Sequence, residues 1–182
     1  MSGTAHDDHD ERAGDEADAT EADVRLNDRS DYQLCYACGA RNPHSLGLVF
    51  HREGEEIVAL FTPDERYQGF PGVVHGGVLA TLLDEALERF SVTAGRWLMT
   101  ARLEVRYRRA APVGRPLRIG ARLVSARTRA LVAAGEIRLA DEPRDEPGGV
   151  VAEAAGTFLP LPAETARAVG AAYPVFLRAF ER

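Results

Sequence analysis

One stretch constrains this chain more than any other: Tyr67 to Phe90, YQGFPGVVHGGVLATLLDEALERF. Gly69, Pro71 and Gly72 make a turn-rich entry, and His75, Gly76 and Gly77 stand where a helix must begin. Beyond them Val78, Leu79, Leu82, Leu83, Ala86, Leu87 and Phe90 recur at the i, i+3, i+4 spacing of a buried helix face. Asp84, Glu85 and Glu88 are its acidic exceptions. Most of the chain beyond Phe90 reads as strands. One helix served by many strands predicts an α+β domain, with the helix packed on an antiparallel sheet.

The same stretch suggests chemistry. A helix N-terminus offers unpaired backbone N–H groups and a partial positive charge. Glycines at that point let a ligand approach the backbone, because no Cβ intervenes. A polarised carbonyl oxygen is stabilised in such a place. Asp84 lies seven residues beyond Gly77, about 10 Å along a helix axis. It is therefore too far from its own Gly76 amide for both to act on one carbonyl. Either the two do not cooperate, or a second subunit whose helix runs the other way completes the site. Symmetric dimers are the commonest oligomers. The plainer reading makes the glycines a tight turn and Asp84 an exposed helix residue.

HGGVLATLLDEA resembles the helix motif of the hotdog-fold acyl-CoA thioesterases of the PaaI type, a His-Gly-Gly followed by an acid nine positions after the His, here Asp84. YQGFPGVVHGG is similar to the entry loop of thioesterase-superfamily members. MTARLEVRYRRAAPVG, from Met99 to Gly114, resembles the strand after the helix. CYACGARNPHSLGLVF, from Cys35 to Phe50, resembles the N-terminal segment of many relatives. The resemblance runs from Cys35 to Pro160. It implies a single hotdog domain, a sheet of about six antiparallel strands wrapped around one long helix. It further implies hydrolysis of acyl-CoA to a carboxylic acid and free thiol, in a homo-oligomer, dimer or tetramer. Asp84 is then general base or nucleophile, and the Gly76 amide, helped by Gly77, holds the oxyanion from the partner subunit. His75 orients the loop or donates to the thioester carbonyl. Thr100 assists the acid by holding the attacking water. No metal or redox cofactor is expected.

The strands are read from local pattern. Leu46 to His51 and Ile57 to Thr62 are joined at Arg52-Glu53-Gly54-Glu55, a hairpin signal. Gln68 lies on the loop before the helix, either reaching the acyl pocket or simply solvated. Gly95 is a stop signal after the helix. In the strand from Leu98 to Arg109, Ala101, Leu103, Val105 and Tyr107 alternate with Arg102, Glu104, Arg106 and Arg108, so the apolar set is expected on the helix. Strict alternation puts Thr100 on the polar face, unless a bulge or the strand's start alters the phase. Leu117 to Ser125, Ala130 to Leu139 and Val150 to Leu159 complete the set. Arg106, Arg108, Arg109, Arg127 and Arg129 have the geometry to meet coenzyme A phosphates, or form a solvated face.

Of the 182 residues, the first 31 hold 11 acidic residues and three Arg, with no aromatic before Tyr32. Such a tail cannot bury enough apolar surface to fold, so residues 1–31 are expected to be disordered. Residues 32–162 form the domain, and 163–182 a terminal segment with a short helix broken at Pro174. The whole chain carries a net charge of −6, yet the first 31 residues alone carry 3 − 11 = −8 and the remainder 19 − 17 = +2. The remainder is barely basic and lacks an aromatic-basic stacking surface, which argues against nucleic acid. No apolar run has the length of a membrane span, no signal-peptide pattern opens the chain, and two cysteines make no disulfide framework. These features fit a cytoplasmic protein.

Cys35 and Cys38 form a CxxC, with His44 and His51 further along. The spacing suggests a small zinc site or a redox pair, or merely small, partly buried loop residues. His51 lies at the far end of the expected first strand, badly placed to return to the cysteines. Other readings on the same fold are a hydratase or dehydratase, in which His75 handles the substrate proton, and a non-catalytic acyl-CoA binder. A zinc-dependent interaction module is the remaining alternative.

Overall fold

The structure is a computed structural model that describes residues 26–27, 34–143 and 148–172. The strands are β1 (Phe50–Glu53), β2 (Glu56–Phe61), β3 (Gln68–Phe70), β4 (Val73–Val74), β5 (Leu98–Tyr107), β6 (Leu117–Arg127), β7 (Ala130–Leu139) and β8 (Val150–Pro160). The helices are α1 (Gly76–Glu88), α2 (Phe90–Thr93) and α3 (Ala163–Ala172). Six strands form one antiparallel sheet in the order β1-β2-β6-β7-β8-β5, and β3 pairs with β4 in a small ribbon. This is the α+β layout expected from the sequence.

The sheet wraps α1, which contacts β2, β5, β6, β7 and β8. Leu79, Leu82, Leu83, Ala86 and Leu87 are buried on the helix. Leu117, Ile119, Leu131, Ile137, Val151 and Phe158 meet them from the sheet, all fully buried. Helix and sheet approach closely because Gly135 has no side chain. A Cβ there would stand 2.6 Å from the Gly120 carbonyl oxygen and 3.2 Å from Leu87 Cδ2. Helix α1 ends at Arg89, α2 adds one further turn capped by Ala94, and Gly95 follows at φ +62°, a left-handed stop that glycine tolerates.

The first strand is shorter than the pattern predicts. Residues 46–49 are not paired in the sheet. Instead Leu46 N–H donates to the Tyr36 carbonyl and Leu48 N–H to the Ala37 carbonyl, both at 3.0 Å. The Cys35–Val49 segment thus folds back on itself before entering β1, and Leu46 and Leu48 become core residues. The hairpin tip is Gly54-Glu55, with Gly54 at φ +62°. Helix α3 lies in the expected terminal segment. The break at Pro174 and the acidic tail other than residues 26–27 lie outside the described residues; at those two the expectation of disorder is corrected, because Leu26 is buried in the core and Asn27 Oδ1 accepts the Phe50 N–H at 2.7 Å.

The largest departure is in β5. Its pairing with β8 passes from Thr100↔Phe158 to Arg102↔Thr157, leaving Ala101 as an extra residue. This bulge reverses the alternation. Thr100 and Leu98 precede it on the helix side; Leu103 and Val105 come after it on the same side and pack on the core. Ala101 is exposed. The expectation that Ala101 packs on the helix while Thr100 faces away is therefore corrected at both positions.

Candidate active site

His75 caps α1. Its backbone is extended (φ −63°, ψ 134°), and its Nδ1 accepts the Gly77 N–H at 2.9 Å. An accepting Nδ1 carries no proton, so in the neutral ring the proton is on Nε2, which is left as a donor. The loop is fixed from both sides: His75 N–H donates to the Tyr67 carbonyl at 2.8 Å and Val74 N–H to the Ala111 carbonyl at 2.9 Å. Gly69 lies against the His75 ring, where a Cβ would come within 3.1 Å of its Cδ2. The capped Gly77 N–H already has an acceptor. Gly76, first in the helix, has no carbonyl one turn back to receive its N–H.

Tyr107, at the far end of β5, reaches the same point. Its hydroxyl donates to the Gly76 carbonyl at 2.9 Å, and its ring covers the Gly76 Cα. Periodicity marks Tyr107 only as one of the apolar set. Its polar end becomes visible once strand and helix are placed together.

A cavity of about 470 Å³ opens at this helix entry, lined by Phe70, His75, Gly76, Tyr107, Arg108 and Arg109 among others. Arg108 pairs with Glu153, and Arg109 with Glu142 and the Gly149 carbonyl. Gln68 does not line the cavity. Its Oε1 accepts the Gly72 N–H at 3.3 Å and closes the β3–β4 turn.

Asp84 stands two turns along α1, away from that cavity. It is half-buried, not exposed as the plainer sequence reading has it. Thr100 Oγ1 donates to its Oδ1 at 2.9 Å. Burial pushes the Asp84 carboxyl above the usual carboxylate range, the Thr100 hydrogen bond pulls it back, and neighbouring Glu85 adds to the upward shift. The bulge in β5 aims Thr100 at this acid.

The other acids of α1 also have partners. Ser91 Oγ donates to Glu88 Oε1 at 2.5 Å, and burial raises Glu88 to about 7. Glu85 pairs with buried Arg89, whose guanidinium also stacks 4.8 Å from the Phe50 ring centre. Sequence reasoning did not single out Arg89. The signal available was the Glu85–Arg89 i, i+4 spacing. His44 and His51 do not join the cysteines. The His51 ring bonds to Glu53 at 3.0 Å. Among the described residues it is Glu85 that completes a trio with Cys35 and Cys38, their donor atoms all within 4.8 Å.

The structure therefore gathers His75, Gly76, Arg108 and Arg109 at one place and Asp84 with Thr100 at another. Residues 71–145 match the family model described as Thioesterase superfamily. The chain is 37% identical over 67 residues to Acyl-coenzyme A thioesterase THEM5 of Mus musculus, covering 37% of this chain and 27% of that protein. It is 33% identical over 118 residues to Acyl-coenzyme A thioesterase THEM4 of Bos taurus, covering 64% and 46%. The chain thus spans less than half the length of these curated relatives. A crystal structure of a thioesterase superfamily protein superposes with a TM-score of 0.62 at 34% identity, covering 70% of this chain and 63% of that one. A Streptococcus mutans protein solved bound to acetyl CoA shares the fold, with a TM-score of 0.55 at 19% identity over 63% of this chain and 88% of that one. Helix, sheet order and sequence agree: the chain folds as a hotdog domain, and within it residues 71–145 are similar to the thioesterase superfamily.

Proposed function

We propose that this domain hydrolyses acyl-CoA thioesters, in the manner of the PaaI-type enzymes, with Asp84 as the acid that activates water. The observation that carries the reading is the half-buried Asp84 carboxylate held by Thr100. A carboxylate partly stripped of water on an otherwise apolar helix face costs stability, and a base poised nearer neutrality explains the placement. Thr100 fixes Oδ1 and leaves Oδ2 to take a proton from water. The hydroxide so formed attacks the thioester carbonyl, and the oxyanion is held by a Gly76 amide. Collapse of the tetrahedral intermediate expels the coenzyme A thiolate, which recovers the proton from Asp84.

The Gly76 amide in this scheme belongs to a partner subunit. Asp84 is absent from the cavity lined by its own Gly76. Strand β5 supports a dimer, because it is ten residues long and, among the described residues, pairs only with β8. A long open edge of this kind is a template for pairing with another chain. The strand itself exposes Met99 and Tyr107, and exposed Phe70 lines the same cavity as Tyr107. Arg108 and Arg109, at the cavity, are suited to the phosphates of coenzyme A by exchanging carboxylate partners for phosphate.

The test is free-thiol release from a panel of short, long and aromatic acyl-CoAs, wild type beside Asp84→Asn. Turnover that collapses in the variant supports the reading. Absence of turnover with every thioester, in a folded protein, replaces it with a binding function.

A further inference from the structure

Outside that site the structure builds a second reactive cluster. Residues 35–39 form one tight turn, closed by the Gly39 N–H to the Cys35 carbonyl at 2.9 Å. The turn sets Cys35 and Cys38 on one side, both as thiols. Their sulfurs and a Glu85 carboxylate oxygen lie within 4.8 Å of one another. Arg89 Nη2 donates to Cys38 Sγ at 2.9 Å, and the same guanidinium pairs with Glu85 and donates to the Leu26 carbonyl. Cys38 is 1% exposed, whereas Cys35 is half-buried and open to an approaching reagent.

Two chemistries use a CxxC: metal binding and thiol–disulfide exchange. Arg89 separates them. Its fixed positive charge is engaged by Cys38 and Glu85, two of the three donors a cation would need. A divalent ion would therefore stand beside a buried guanidinium. A thiolate that forms on Cys38 as it resolves a mixed disulfide, by contrast, is favoured by that neighbour. We propose that Cys35 and Cys38 form a thiol–disulfide exchange site, with Cys35 the attacking sulfur, Cys38 the resolving sulfur and a low-molecular-weight disulfide the oxidant.

The Cys35 thiolate attacks one sulfur of the disulfide, forming a mixed disulfide and releasing one thiolate. Cys38 then passes its proton to the Glu85 carboxylate and attacks the Cys35 sulfur. The second thiolate leaves and takes up that proton. Two protein thiols are oxidised to a Cys35–Cys38 disulfide, and one disulfide is reduced to two thiols. The hydrogen bond from the Cys38 thiol lowers Cys35 to about 6 and raises Cys38, which matches an attacking and a resolving sulfur.

The experiment equilibrates the full chain in reduced and oxidised glutathione, quenches with acid, alkylates remaining thiols and reads intact mass with peptide mapping. The two thiols are expected to disappear together into a Cys35–Cys38 disulfide. In the reduced protein Cys35 should alkylate at least about tenfold faster than buried Cys38. Cys38→Ser should stop at one glutathione on Cys35, and Cys35→Ser should leave Cys38 unmodified while folded by circular dichroism. Persistence of both thiols in oxidised glutathione, or equal alkylation rates, would overturn the proposal. So would one equivalent of zinc that co-purifies and blocks alkylation.

Discussion

Thr100 Oγ1 lies 2.9 Å from Asp84 Oδ1 and donates to it, joining a strand residue to a helix residue sixteen positions away. The contact is made possible by one extra residue, Ala101, in the strand. It orients the acid on which the proposed chemistry depends and favours its ionised form against the opposing effect of burial.

Asp84→Asn keeps the shape and the acceptor for Thr100 while removing the base. Activity should fall by about 10²–10⁴-fold, the usual share of a general base. Burial raises the Asp84 carboxyl, so in the folded state its ionised form is disfavoured. The wild type therefore loses stability as pH rises through that raised value, and the neutral variant does not. At pH 8 the variant should melt at the same temperature as wild type or above it. Thiol-release kinetics and thermal melts check both halves.

The pH profile distinguishes Thr100 from a bystander. A base acts when ionised, so activity should climb as pH rises through the Asp84 pKa. The Thr100 hydrogen bond lowers that pKa. Thr100→Ala should shift the acid limb to higher pH and cut kcat roughly tenfold, a loss of about 1.4 kcal/mol. Thr100→Ser should restore the limb. A profile unmoved by Thr100→Ala would remove Thr100 from the mechanism.

Mixed dimers test whether the site is shared. Asp84→Asn and Gly76→Val should each be nearly inactive as homodimers, the second because its side chain blocks the amide beside Tyr107. If Asp84 and Gly76 act across subunits, a heterodimer of the two holds one intact site, and a mixed preparation regains up to about a quarter of wild-type activity, since random pairing gives half heterodimers. No recovery on mixing would place both groups within one chain.

Glu88 gives a stability signature separate from catalysis. Burial raises it to about 7, above the usual value near 4.3. Folding therefore favours its protonated form. That contribution is complete below about pH 4 and lost as pH rises through about 7. Glu88→Gln should remove the loss and gain on the order of 3 kcal/mol at pH 8 relative to wild type, with little gain at pH 4. Denaturant melts at the two pH values read this directly.

The Tyr107 hydroxyl holds the Gly76 carbonyl at 2.9 Å from an exposed position. Tyr107→Phe should cost about 0.5–1.5 kcal/mol of stability. Because the bond steadies the first residue of α1, KM for acyl-CoA should rise as well, measured by steady-state kinetics.

The sequence by itself determined the central helix, because an apolar stripe at i, i+3, i+4 over Val78 to Phe90 has no comparable strand reading. It likewise determined the hairpin at Gly54, the helix entry at His75, and strands at β2 and β5 to β8. All of these depend on neighbours within one or two turns of chain. Only the tertiary structure decided which way Thr100 points, since a bulge at Ala101 arises from pairing with β8 and leaves alternation before and after it intact. The same holds for Leu46 to Val49, whose strand-like pattern yields to hydrogen bonds with Tyr36 and Ala37. The partner of the CxxC was also decided at this level: the sequence offers His44 and His51, but folding delivers Glu85 and Arg89 from the helix. Contacts between residues far apart in sequence are set by sheet register and helix placement, and these emerge only when the whole core packs at once.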